Sequence, residues 1–319
     1  MSQVLTVKKH TTLHTQFPQV VSASNLARQR AHTLVYGRRI TAELVDLIGA
    51  HQGEPLQVVA AWKVGPYDAL LLGDALSASL IEALIHYELD FADTRDLPDL
   101  SEPGVVVMDM DSTAIEIECI DEIAVLAGVG EQVSAVTERA MQGELDFEQS
   151  LRQRVAALAG ADAAILESVR AELPLMPGLP ELVKTLQHYG WKVAIASGGF
   201  TYFSDHLKET LALDYARSNT LEIVDGKLTG QVLGAVVDAQ VKADILHMLA
   251  EEYDIPPHNT VAIGDGANDL LMIKAAGLGI AYHAKPKVQA EAPSSIRHAD
   301  LGGVMCILSA SLLPQGIGW

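Results

Sequence analysis

Four short β-rich runs after residue 104 constrain this chain more than any other feature: VVVM (105–108), KVAIA (192–196), TVAIG (260–264) and LGIAY (278–282). Each is apolar on both sides and each is separated from the next by stretches of helical pattern. Strands buried on both faces belong in the middle of a parallel sheet, and parallel strands need crossover connections, usually helices. The expected fold class is therefore α/β, a doubly wound parallel sheet with a Rossmann-like core. The helical pattern from Ile120 through Glu172, between the first two runs, is too long for one crossover and predicts a helical cap over the sheet's edge. LEIVDGKLTGQV (221–232) predicts a hairpin beside the sheet, with Asp225 and Gly226 as its turn.

The 319 residues allow two domains at roughly 100 to 200 residues each. DTRDLPDLSEPG (93–104) combines charges, two prolines and a glycine without apolar periodicity and reads as a linker. Before it, HTLVYG (32–37), LQVVAAWKV (56–64) and YDALLLG (67–73) read as strands, and 40–51 and 76–89 as helices. The expected layout is a small N-terminal α+β domain over 1–95 and an α/β domain over 96–319. The latter has its core at 104–116 and 174–319 and its cap at about 117–173. The small domain carries no His, Asp or Cys cluster at ligand spacing, which leaves it support, regulation or a homodimer contact.

Hydrophobic residues make up 49% of the chain, yet no run approaches the roughly 18 apolar residues of a membrane span. The first thirty residues, with Lys8, Lys9, His10, Thr11 and Thr12, lack the basic start and apolar block of a secretory signal, so a cytoplasmic protein without a membrane partner is expected. Cys119 and Cys306 are the only cysteines, and they suggest neither a disulfide framework nor a zinc site. A net charge of -19 argues against nucleic acid as a partner. The same charge means that any anionic substrate needs a cation and a few basic residues to reverse the field locally.

In open parallel sheets ligands bind at the carboxyl ends of strands. The first run ends MDMDST, where a period of two aims Asp109 and Asp111 to one side. The second ends SGGF, offering the Ser197 hydroxyl and the N–H groups of a backbone that Gly198 and Gly199 let approach a ligand. The third ends GDGAND, adding Asp265, Asn268 and Asp269 around a tight turn, hard oxygen donors that favour magnesium. Each fragment alone is an ordinary turn or strand end. Three together supply a pair of acids, a phosphate cradle and a metal corner.

DMDST, SGGF, the lysine of DAQVKAD and GDGANDL resemble the four motifs of the haloacid dehalogenase-type phosphatases, over most of residues 104–310. IECIDEIA (117–124), RAMQGELDFEQSLRQRV (139–155) and GLGIAYHAKP (277–286) are similar to the bacterial phosphoserine phosphatases in particular. The resemblance implies a Mg2+-dependent hydrolase that takes O-phosphoserine, its small-molecule substrate, through a phosphoaspartate intermediate, the last step of serine biosynthesis. It makes Asp109 the nucleophile and Asp111 the group that protonates the departing oxygen and then accepts a proton from water. It places Mg2+ on Asp109, the backbone carbonyl of Asp111 and Asp265. It gives phosphate binding to Ser197, Gly198 and Lys242, sets Asn268 on the phosphate or leaving-group side, and has Asp269 support the site by orienting magnesium-bound water or Lys242. In the cap it sets Glu118 near the substrate ammonium and Arg154, rather than Arg152, against its carboxylate. Met141 and Phe147 could close over a ligand, but apolar residues at helical spacing belong more often to a core.

The retained Asp111 argues against a dehalogenase, which has no leaving alcohol to protonate. The absence of DKTGT and of membrane spans sets aside the P-type pumps. A phosphatase for another small phosphomonoester is the nearest rival, and a non-catalytic serine or phosphoserine sensor is the rival of another class. Similarity is weakest before residue 95, where some phosphoserine phosphatases carry sensing domains of the ACT type.

Overall fold

Val105–Met108 is apolar at every position because both its faces are covered, and all four residues are fully buried at the centre of the larger of two sheets. A computed structural model describes residues 3–8, 13, 15, 17, 20 and 31–313. The reading of the first thirty residues as lacking a signal falls largely outside the described residues, as do residues 314–319.

The smaller sheet comprises β1 (Val7–Lys8), β2 (Thr33–Gly37), β3 (Val58–Val64), β4 (Tyr67–Leu72) and β5 (Asp90–Asp93), antiparallel in the order β1-β3-β4-β2-β5. Helices Ala42–Gln52 and Ala78–His86 cover one face, each N-capped by a hydroxyl, Thr41 for the Leu44 amide and Ser77 for the Leu80 amide. All six residues of β4 are buried, so the other face is not solvated either. It packs on helix Gly302–Ser309, every residue of which is buried. Trp62 Nε1 donates to Ser309 Oγ at 2.9 Å there.

The segment expected to be a linker is a packed seam. Leu100 is fully buried, its amide donates to Ser311 Oγ at 3.0 Å, and its carbonyl accepts from Trp191 Nε1 at 3.2 Å. Strand β5, which carries too little periodicity to read from sequence, joins the two sheets through Asp90. Its buried carboxylate accepts the amides of Arg297 and Ala299, both at 2.7 Å.

The larger sheet comprises β6 (Val105–Met108), β7 (Lys192–Phe200), β8 (Tyr215–Val224), β9 (Lys227–Leu233), β10 (Thr260–Gly264), β11 (Leu278–Tyr282) and β12 (Ser294–Ile296). Its order is β12-β11-β10-β6-β7-β8-β9, with only β9 antiparallel to its neighbour. The chain winds outward from β6 to β9, then returns to the other side of β6 as β10. The order reverses between β6 and β10, which opens a crevice at their carboxyl ends.

The hairpin lies in this sheet rather than beside it, because β8 pairs with β7. Asp225 and Gly226 have φ of 49° and 75°, the two positive values a tight hairpin turn demands. Its edge is covered by the cap: Gly160 N donates to Leu228 O, and Leu228 N to Ala161 O. The cap comprises four helices between β6 and β7: Cys119–Leu126, Gly130–Met141, Phe147–Ala156 and Ala164–Ala171. Among the described residues no helix is long and apolar enough to cross a membrane.

Candidate active site

At the end of β6 the ladder continues one residue further, with Asp109 N donating to Ile263 O at 3.0 Å. Asp109 and Asp111 both face one pocket of about 130 Å³, while Met110 between them is fully buried. The Asp109 carboxylate accepts from Met110 N at 2.7 Å.

The end of β7 forms the adjoining wall. Ser197 Oγ, almost fully buried, accepts the Gly199 amide at 2.9 Å. A Cβ on Gly198 would come within 2.5 Å of the Phe147 ring, and one on Gly199 within 2.8 Å of Asp111 Oδ2. Close approach of cap and acids therefore requires glycine at both positions.

The β10 end supplies Asp265, Gly266 and Asn268 to the same pocket, and Asp269 below it. Lys242 lies on helix Ala239–Glu252, whose N-cap is Asp238. From sequence an exposed position would be ordinary for it, but it is fully buried, with Nζ 2.6 Å from Asp109 Oδ2 and 2.7 Å from Asp269 Oδ1. Burial pulls the lysine pKa down, but the two carboxylates more than reverse this and raise it overall.

One buried cation does not balance the acids around it. Burial first, and then neighbouring carboxylates, push Asp111 up to about 8 and Asp265 up to about 7. Burial also lifts Asp269, to about 6, against the pull of Lys242. Carboxylate oxygens of Asp109, Asp265 and Asp269 lie within 4.8 Å of one another. A set of hard oxygen donors with surplus negative charge fits a divalent cation.

The cap closes the pocket with Glu118, Ile120, Phe147, Leu151 and Arg154. Arg154 Nε is buried without a hydrogen-bond partner among the described residues, and burial lowers the pKa of its guanidinium. An unpaired buried donor of this kind costs about 1–3 kcal/mol unless a ligand satisfies it. Arg152 instead reaches Glu148 outside the pocket, at 2.8 Å. Glu118 accepts from Ser112 Oγ at 2.8 Å, while its burial raises its pKa.

Every residue to which the resemblance assigns a role thus lies in or directly beneath one pocket, Lys242 and Asp269 forming its underside. Phe147, left out of the sequence-based set, forms part of the wall, whereas Met141 is 71% exposed. Gly199, read from sequence as opening the backbone to a ligand, lines the pocket, as do Ile120, Leu151 and Phe200, which lie inside IECIDEIA, RAMQGELDFEQSLRQRV and SGGF without a signal of their own.

A family model for haloacid dehalogenase-like hydrolases matches residues 103–277, and one for a domain of unknown function matches 29–93. Phosphoserine phosphatase of Vibrio cholerae is 60% identical over 98% of this chain and 95% of its own length. The unliganded crystal structure of a probable phosphoserine phosphatase from Vibrio cholerae superposes with a TM-score of 0.92 at 60% identity, covering 98% of this chain and 97% of that one. A phosphoserine phosphatase solved as a phospho-aspartyl intermediate analogue is 43% identical, with a TM-score of 0.61 over 64% of this chain and 98% of that one. The chain belongs to the haloacid dehalogenase-like hydrolases, alongside the phosphoserine phosphatases.

Proposed function

We propose that this protein hydrolyses O-phospho-L-serine to L-serine and phosphate through a phosphoaspartate on Asp109, as the last step of serine biosynthesis. One observation carries the reading: a single small pocket has two acids and a phosphate cradle on its floor and, in its cap wall, a carboxylate and an unpaired guanidinium. Those last two groups complement the ammonium and carboxylate of an amino acid.

Asp109 attacks phosphorus in line, forming its acyl phosphate as the bond to the serine oxygen breaks. Asp111, pushed upward by burial and by the neighbouring Glu118 and Asp109, delivers a proton to that oxygen; it then takes a proton from the water that hydrolyses the acyl phosphate. Lys242 compensates the phosphate charge from below, and Ser197, the Gly198 backbone and Asn268 hold its oxygens. Asp269 keeps Lys242 aimed at Asp109. Glu118 takes the ammonium and Arg154 the carboxylate, the latter suited to two parallel hydrogen bonds.

Asp109, the Asp111 carbonyl and Asp265 would hold Mg2+. When bound it lets an anionic nucleophile and an anionic phosphate approach each other. We assign residues 1–95 to a supporting or dimerising domain and 96–319 to the phosphatase domain with a cap at about 117–173. The outer helices of the small domain expose Leu47 and Ile85, which supports a homodimer through it. A step of amino-acid biosynthesis supports a cytoplasmic location.

The test is phosphate release from O-phospho-L-serine with and without Mg2+, against a panel of small phosphomonoesters, with Asp109→Asn as the blank. Magnesium-dependent preference for phosphoserine is expected. Strong preference for another ester would overturn the substrate, and no turnover of any would overturn the chemistry.

A further inference from the structure

Asn219 lies on β8, outside every motif, yet it is 1% exposed and both ends of its amide are engaged. Nδ2 donates to the Gly198 carbonyl at 2.8 Å, and Oδ1 accepts the Val237 amide at 2.8 Å. Its two partners belong to the two elements that would meet a phosphate. Gly198 is in the cradle, and Val237 immediately precedes Asp238, the N-cap of the helix that carries Lys242.

The hydrogen bond to Gly198 reaches further than it looks. A trans peptide points its C=O and N–H in opposite directions, so fixing the Gly198 carbonyl also fixes the Gly199 N–H. That N–H occupies a lone pair of Ser197 Oγ at 2.9 Å. A serine hydroxyl has one proton to donate. With one of its two lone pairs engaged from the Gly199 side, the O–H of Ser197 remains free to turn into the pocket that Ser197 lines.

We infer that Asn219 is a positioning residue: it orients the Ser197 hydroxyl as a donor to the phosphoryl group and holds that donor in register with Lys242. The inference rests on the phosphatase reading above. Asn219 touches no substrate and acts through the 198–199 peptide.

The test compares Asn219→Asp, which keeps the acceptor for Val237 but faces the Gly198 carbonyl with an oxygen, and Asn219→Ala, which removes both bonds. For each, inhibition by inorganic phosphate and by L-serine is measured separately, together with KM, kcat and the melting temperature. Both variants should weaken phosphate inhibition about tenfold, the scale of one lost hydrogen bond, and leave serine inhibition within about twofold. In a Ser197→Ala background the Asn219 substitutions should change phosphate inhibition less than they do with Ser197 present, because the hydroxyl they position is gone. Unchanged phosphate inhibition in a folded variant, equal loss of phosphate and serine inhibition, or full additivity with Ser197→Ala would each overturn the inference. Wild-type phosphate binding is read in the same titration, so failure of the phosphatase reading would show there first.

Discussion

Replacing Lys242 by methionine tests the electrostatics beneath the pocket. Lys242, Asp109 and Asp269 are all 5% exposed or less, and the two contacts are 2.6 and 2.7 Å. With lysine present the trio carries one net negative charge; without it, two acids face each other in the interior, and Asp269, no longer held down by Lys242, must either bear the repulsion or take up a proton. Removing one partner of a buried ion pair costs about 3–5 kcal/mol. For a domain of 150–250 residues each kcal/mol moves Tm by about 2–4 °C, which predicts a fall of about 6–20 °C. The assay is thermal unfolding at pH 7 with a chelator present, followed by circular dichroism. The double variant Lys242→Met, Asp269→Asn restores the original net charge and should recover a large part of the loss. An unchanged Tm in the single variant, or a double variant less stable than either single, would refute the argument that charge compensation is what Lys242 provides to the fold.

Three further outcomes follow from the same pocket. Asp111→Asn should lower kcat for phosphoserine by about 10²–10⁴-fold, and much less for an aryl phosphate whose leaving group needs no proton; equal losses would remove Asp111 as the acid. Arg154→Ala should cut kcat/KM for phosphoserine by about 10- to 150-fold, while an aryl phosphate without a carboxylate is nearly unaffected. Asp265 and Asp269, raised to about 7 and about 6, bind protons in the folded state that the unfolded chain has already released. With Asp111, raised to about 8, acting in the same direction, stability without metal should therefore decline as pH rises from about 4 to about 8, and Mg2+ should flatten that slope; melting scans in chelator and in Mg2+ compare the two.

The runs that became β6, β7, β10 and β11 were legible because strands buried on both faces leave long apolar signals bounded by glycine and polar residues. The motif acids were legible because the topology sends the carboxyl ends of those strands to one crevice. Asn219 was not, since a buried amide satisfied by two backbone groups leaves no pattern in sequence. Phe147 was hidden by its spacing, which suits a helical core as well as a pocket wall. The 93–104 segment misled because its prolines and charges describe a chain without regular structure, and irregular backbone can still be packed. Leu100, Asp99 and Asn259 make it a seam through contacts between residues 91 to 211 positions apart. The hairpin was found by its turn, but its pairing with β7 depends on a parallel neighbour that no local signal announces.

Helix Gly302–Ser309 lies between the two sheets, yet it is encoded after both of them. While the ribosome is still synthesising the chain, β2, β3 and β4 can pair and receive their outer helices, but their inner face, with Tyr36, Trp62 and Tyr67, has no cover until residue 309 has emerged. The order of translation thus makes the N-terminal unit the first to be synthesised and among the last to be completed. A nascent chain stalled before residue 302 presents aromatic surface to chaperones and proteases rather than a finished small domain.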